Sequence, residues 1–199
     1  MALIVIIGGQ AVGKMTVGVE LEKQIDGKLL YNHQTIDLYA DFLGYTEETF
    51  KLSDFTRKKL FKAFAENSQT NLVKHLIFTV MIAFNEEADR LFLRDIATIF
   101  QEQEQAVYFV QLVTDLQTRL KRNTTPQRLA AKPSKRDIAF SQQEILTSHE
   151  KYQLAIPADD FAALYPEIAC LTIDNTQLSP EDCSTRIVDT FKLKGARPC

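Results

Sequence analysis

Apolar residues gather in short runs, separated by longer stretches in which apolar positions recur every three or four residues. Five runs rich in β-branched or aromatic residues cover positions 3–7, 28–32, 76–80, 107–112 and 169–173. Each run is nearly continuous in apolarity instead of alternating, which is typical of strands buried on both faces of a parallel sheet. The pattern therefore predicts five buried parallel strands.

The stretches between the runs have helical spacing. Val17, Leu21 and Ile25 share one face of a helix predicted over 15–25, and similar stripes predict helices over 50–64 and 88–100. Strands that alternate with helices predict a three-layer α/β fold with right-handed crossovers. With 199 residues the chain has the length of a single domain, so we expect one domain over 1–199.

Two intervals are longer than a crossover helix requires. Residues 33–72 are expected to fold as several helices that cover the carboxyl edge of the sheet. Residues 119–160 are polar, contain Pro126 and Pro133, and precede the last strand. Long insertions in compact domains are usually functional, and open α/β sheets bind ligands at their carboxyl edge. We therefore expect a substrate-covering segment at 33–72 and a lid region at 119–160.

Composition narrows the classes of partner. Hydrophobic residues make up 45% and charged residues 25% of the chain, which excludes disorder and leaves enough apolar side chains for a core. The net charge of −3 gives no reason to expect a nucleic acid or an anionic membrane as the main partner. The apolar runs are too short to span a bilayer, and the three cysteines lack metal or disulfide spacing. We expect a soluble cytoplasmic protein.

The most informative segment joins the first predicted strand to the first predicted helix. It consists of Gly8, Gly9, Gln10, Ala11, Val12, Gly13, Lys14, Met15 and Thr16. Glycine lets the backbone approach a phosphate closely, the first helical turn offers N–H groups, and a lysine at this spacing reaches β- and γ-phosphate oxygens. The alternative is an ordinary strand-to-helix turn. The position of the motif between a strand and a helix favours a nucleoside triphosphate site.

One position departs from the usual motif. Met15 stands where a Ser or Thr hydroxyl usually binds Mg²⁺, and a thioether is a poor ligand for a hard cation. Thr16 retains a hydroxyl one position later. Mg²⁺ is expected with ATP, but the sequence names no residue that holds it.

The loop resembles that of P-loop small-molecule and nucleotide kinases, a group that includes adenylate kinase, shikimate kinase, gluconate kinase and chloramphenicol phosphotransferase. Residues 8–18 together with the segment Tyr31-Asn32-His33-Gln34-Thr35-Ile36-Asp37 are most similar to uncharacterised bacterial proteins of the shikimate-kinase-like or AAA type. The resemblance implies a three-layer α/β/α P-loop NTPase fold. It also implies a parallel sheet in the order 2-3-1-4-5, a substrate-covering segment and an arginine-bearing lid.

The resemblance also suggests residues on the acceptor side. His33 and Asp37 follow the second predicted strand, where these kinases place an acid that orients the acceptor hydroxyl or Mg²⁺. Either residue could act as the general base, or both could be structural. Arg57 resembles the arginine that clamps a substrate carboxylate in shikimate kinase, although it could equally belong to a solvated helix face. No acid follows the third predicted strand until Glu86, which weakens the case for a metal ligand there.

The lid region carries an unusual charge. Between Arg119 and Arg136 there are seven basic residues and no acidic one. Arg122 and Arg128 are the candidates for neutralising the transferred phosphoryl group. A solvated basic loop, or one that contacts nucleic acid, is the alternative. After the last predicted strand, Asp174, Asn175 and Thr176 occupy the loop that lies beside adenine in these kinases.

The sequence thus predicts an ATP-dependent phosphotransferase that acts on a small hydroxyl- or phosphate-bearing metabolite. A nucleotide-binding regulatory module without phosphotransfer is the alternative, and Met15 together with the missing third-strand acid favours it. The sequence specifies neither the acceptor nor the oligomeric state.

Overall fold

Five parallel strands form one sheet in the order β2-β3-β1-β4-β5 in the computed structural model, which describes residues 1–126 and 137–193. The strands are β1 (Ala2–Ile7), β2 (Gly27–Tyr31), β3 (His75–Val80), β4 (Ala106–Val113) and β5 (Ala169–Asp174). The order and direction predicted from the resemblance are confirmed. The central strand β1 is buried along its whole length, which explains its unbroken apolar run.

The helices alternate with the strands. They are α1 (Lys14–Gln24), α2 (His33–Leu43), α3 (Glu47–Glu66), α4 (Glu87–Gln101), α5 (Leu116–Asn123), α6 (Ile138–Lys151), α7 (Ala158–Leu164) and α8 (Pro180–Phe191). The insertion at 33–72 contains α2 and α3, as expected of a segment with several helices. The lid region at 119–160 contains α6, the end of α5 and the start of α7, and its residues 127–136 lie outside the described part of the chain.

Two hydrophobic cores lie on opposite faces of the sheet. Leu3, Val5 and Ile7 of β1 pack into one core with side chains of α3, α4 and α7. Ile4 and Ile6 point the other way, into a core with side chains of α1 and α8. Alternate side chains of a strand point to opposite faces, so one apolar run serves both cores. The three-layer α/β/α prediction is confirmed.

Local signals explain where helices begin. Ser179 accepts a hydrogen bond from Asp182 N while the Asp182 carboxylate accepts from Ser179 N, and Pro180 occupies the first helical position of α8. Thr46 and Asp115 cap α3 and α5 with their side chains. No helix in the described residues is long and apolar enough to span a bilayer.

Candidate active site

The loop between β1 and α1 has a backbone that only a few residue types adopt. Gly8 has a φ of 153° and Gly13 a φ of 106°, and Ala11 between them is left-handed with a φ of 59°. A Cβ atom on Gly8 would lie 2.7 Å from the Leu112 carbonyl oxygen, so a side chain is excluded there. The glycines therefore determine the shape of this loop.

Helix α1 begins at this loop without a side-chain cap. Gly13 occupies the N-cap position, no side chain accepts a hydrogen bond there, and the first turn contains no acidic residue. The first intrahelical bond runs from Val17 N to Gly13 O over 3.0 Å, so the N–H groups of Met15 and Thr16 have no carbonyl acceptor inside the helix. Uncapped N–H groups and the helix dipole favour an anion at this point.

Lys14 holds its ammonium group over the same loop. Its Nζ donates to the carbonyl oxygens of Gly8 and Gly9 at 2.6 and 2.8 Å. Those contacts place a full positive charge beside the helix N-terminus. A triphosphate would meet both an ammonium and backbone N–H groups here.

Two arginines of α5 anchor the loop. Arg119 Nε donates to Gln10 O at 2.8 Å, and Arg122 donates to Val12 O at 3.0 Å and to Asn175 O at 2.8 Å. Arg119 is only 5% exposed, and burial lowers the pKa of its guanidinium. Because both arginines point inward, the described part of the basic segment does not form a solvated basic face. Arg122 lines the cavity, while Arg128 lies outside the described residues.

His33 and Asp37 face each other across one turn of α2. His33 Nδ1 lies 3.3 Å from Asp37 Oδ1, and the Tyr45 hydroxyl donates to the same oxygen at 3.3 Å. An ionised carboxylate only accepts hydrogen bonds, so His33 Nδ1 is the donor in this contact. His33 lines the cavity, and Asp37 is not among the residues on its wall.

The loop borders a cavity of about 490 Å³ at the carboxyl edge of the sheet. It brings together residues 10–16, His33, Arg122 and Asn175, all of which the sequence had singled out. Asn175 is 3% exposed and donates from Nδ2 to Val12 O at 2.8 Å. Sequence reasoning missed the remaining wall, which consists of Val17, Tyr31, Asn32, Ile36, Tyr45, Phe50, Thr79, Met81, Thr125, Glu144, Leu178 and Pro180.

Arg57 does not line this cavity. It is 3% exposed, and its guanidinium donates to Thr35 Oγ1 at 2.8 Å, to Asp54 Oδ1 at 3.0 Å and to the Ser53 hydroxyl. It also lies over the Phe78 ring at 5.7 Å, and burial lowers its pKa. All of these contacts are internal to the fold and Arg57 lies off the cavity wall, so the geometry gives the predicted substrate clamp no support.

Asp174 and Thr176 also lie off the cavity wall. Asp174 is exposed, and hydrogen bonds from the Thr176 side chain and backbone lower the pKa of its carboxyl group. The Thr176 hydroxyl bonds to that of Thr114 at 2.9 Å. These two residues stabilise the turn after β5, and of the three predicted base contacts only Asn175 lines the cavity.

The donor set for a metal is sparse. Within residues 1–126 and 137–193, no three His, Cys, Asp or Glu residues form a cluster that could hold a metal ion. Over the same residues, Glu144 of α6 is the one carboxylate on the cavity wall. Glu87 and Asp89 lie in the first turn of α4, as acids near a helix N-terminus are expected to, and the Asp89 carboxylate accepts from Ala83 N at 2.7 Å.

Comparison with solved structures reveals fold relatives. The chain superposes on a candidate kinase from Chloroflexus aurantiacus with a TM-score of 0.65 and 15% identity, over 94% of this chain and 97% of that one. A sugar kinase from Janibacter sp. gives a TM-score of 0.57 at 14% identity, over 97% of this chain and 95% of that one. This chain has the P-loop kinase fold. A shikimate kinase from Acinetobacter baumannii, solved with shikimate, gives a TM-score of 0.50 at 19% identity, over 96% of this chain and 92% of that one.

These identities are low, so the P-loop kinase fold is what the likeness establishes. No protein-family model matches the sequence, and no curated protein is similar to it.

Proposed function

We propose that this protein is a phosphotransferase that moves the γ-phosphoryl group of ATP to a hydroxyl group of a small molecule. The observation that carries the proposal is the uncapped N-terminus of α1, which opens into the cavity with the Lys14 ammonium group beside it. Side chains cap α3, α5, α6 and α8, whereas α1, α2, α4 and α7 begin without a side-chain cap. What distinguishes α1 among the uncapped helices is the glycine-rich loop before it and the Lys14 ammonium group beside its first turn.

The nucleotide phosphates would be bound by residues 8–16. Backbone N–H groups and Lys14 would contact the phosphate oxygens, and Arg122, with Arg128 of the lid, would neutralise charge on the transferred group. Asn175 follows β5, donates to Val12 O of the loop and would border the base.

Mg²⁺ would enter with the nucleotide. Met15 offers a thioether, and the hard donors on the wall include the hydroxyl groups of Thr16 and Thr79 and the Glu144 carboxylate. This set suits an ion held chiefly by phosphate oxygens and water. When bound, the ion would neutralise charge on the phosphates.

Phosphoryl transfer would use His33 as the general base. Its Nε2 would take the proton of the acceptor hydroxyl, whose oxygen would form a bond to the γ-phosphorus. The bond from the γ-phosphorus to the β–γ bridging oxygen would break, and ADP would leave. Asp37 would hold the imidazole orientation and stabilise its protonated form.

The proposal is tested by following a label. The protein is incubated with ATP labelled in the γ-phosphate and a panel of small hydroxyl compounds, and the label should appear in an acceptor. Lys14→Ala should abolish the transfer, whereas Lys23→Ala, on the exposed face of α1, should not change it. Nucleotide binding without transfer to any compound would support a regulatory module instead.

A further inference from the structure

The sheet order divides the cavity into two arms. β1 and its loop lie at the centre, the ends of β2 and β3 lie on one side, and the ends of β4 and β5 lie on the other. The side chains that follow β2 and β3, together with those of α2 and α3, form what we call the acceptor arm. Its wall includes Tyr31, His33, Ile36, Tyr45, Phe50 and Met81.

The acceptor arm contains no Arg, Lys, Asp or Glu among the residues that the structure describes on its wall. Its remaining polar members, Asn32 and Thr79, are uncharged. Arg57 of α3, which in the sequence resembles the carboxylate-clamping arginine of shikimate kinase, donates its hydrogen bonds to Thr35, Ser53 and Asp54. Among the described residues on the wall of this arm, His33 is the one that can carry a positive charge, and an anionic acceptor would find no Arg or Lys there.

An unpaired ion that loses its hydration in such a site is strongly disfavoured. Uncharged apolar or aromatic groups are favoured, because they bury area against rings and a thioether. Tyr45 and Phe50 are 56% and 46% exposed at the junction of α2 and α3, so a bound ring would cover aromatic surface that now faces water.

We propose that the acceptor is an uncharged molecule that carries a hydroxyl group on an aromatic or alicyclic frame, and that Phe50 and Tyr45 pack against that frame. The proposal deepens the phosphotransferase assignment and rests on it for naming this molecule an acceptor. The hydroxyl would lie toward His33, with the ring between α2 and α3.

The test compares phenylethanediol with mandelate, in which a carboxylate replaces the CH₂OH group. Each is titrated into the full-length protein by calorimetry, with and without an ATP analogue that cannot be hydrolysed. We expect the diol to bind at least about ten-fold more tightly than mandelate, because the carboxylate loses hydration without a partner. Equal binding, tighter binding of mandelate, or binding of neither compound would overturn the proposal.

Variants locate the contact. Phe50→Ala should weaken diol binding about ten-fold and leave the affinity for ATP unchanged. Phe55→Ala is the matched control, because Phe55 is exposed on the same helix and lies off the cavity wall. An equal effect of both variants, or of neither, would contradict the assigned contact. ATP titrations on the same samples distinguish failure of the phosphotransferase proposal from failure of the acceptor proposal. If the protein prefers the diol but does not bind ATP, only the phosphotransferase proposal is refuted.

Discussion

The Asp37 carboxylate contacts one ring nitrogen of His33 and so restricts how the imidazole can turn. Asp37 Oδ1 lies 3.3 Å from His33 Nδ1, and the Tyr45 hydroxyl donates to the same oxygen. The carboxylate therefore orients the imidazole ring. The sequence left the choice of base open between these two residues. The structure gives them different positions. His33 lies on the cavity wall, whereas Asp37 lies off the wall and contacts the His33 ring.

We therefore expect unequal effects from the two residues. His33→Ala should lower kcat roughly 10²- to 10⁴-fold, the usual contribution of a general base, with little change in ATP affinity. Asp37→Asn should lower kcat less, because the imidazole remains. His149→Ala on α6 is the control, since that histidine is exposed and off the wall. Steady-state kinetics would contradict these roles if Asp37→Asn were the more damaging change.

The pair of helices α2 and α3 is tied together by a buried cation. Arg57 of α3 donates to Thr35 of α2 and to Ser53 of its own helix, and it lies over Phe78 of the sheet. A buried guanidinium with internal partners fixes the angle between helices. These helices carry Ile36 and Phe50 of the acceptor arm, so this tie positions the wall of the cavity.

Arg57→Ala should destabilise the fold by about 2–4 kcal/mol, because several charge-assisted hydrogen bonds are lost together. Chemical denaturation measures the change. Lys62→Ala, at an exposed position on the same helix, should cost less than about 0.5 kcal/mol. Unchanged stability together with a large rise in the KM of a carboxylate-bearing acceptor would restore the clamp that the sequence suggested.

Elements with a strong local signal were predictable from the sequence. The predicted strands agree with the observed ones to within one residue at each end. β2 ends at Tyr31, one residue earlier than predicted, because Asn32 already has helical dihedral angles. The loop at 8–16 was predictable because its spacing is local. The inward direction of Arg57 and Arg119 was not, because it depends on contacts with residues distant in the chain. Tyr31 and Met81 of the cavity wall could have been found, because they lie at the carboxyl ends of β2 and β3. Tyr45 and Phe50 lie far from any strand end and carry no such signal.

The molecule has two hydrophobic cores, one on each face of its sheet. A titratable group, His75, lies at the amino edge of that sheet. His75 begins β3 beside Ala2 and Gly27, and its Nδ1 has no hydrogen-bond partner among the described residues. Burial lowers the pKa of His75 below its ordinary value of 6.5, with further lowering from the N-terminal amino group. The folded protein therefore favours the neutral ring.

The lowered pKa of His75 determines how the stability of the fold changes with pH. Below about pH 6.5 the unfolded chain binds this proton more readily than the folded one, so stability falls as the pH drops. Above that value both states hold a neutral ring and the effect disappears. Urea unfolding at about pH 7.5 and about pH 5.5 should show a smaller loss for His75→Gln than for the wild type. An identical loss in both proteins would contradict the assignment.

The central claim is that the loop at 8–16 and Lys14 form a cradle for a triphosphate, and calorimetric titration of ATP tests it most directly. The account predicts that the wild type and Lys23→Ala bind ATP equally. It predicts that Lys14→Ala binds roughly ten- to hundred-fold more weakly, because a hydrogen bond to a charged group contributes about 1.5–3 kcal/mol. Equal affinity in all three proteins, or no binding to the wild type, would contradict it.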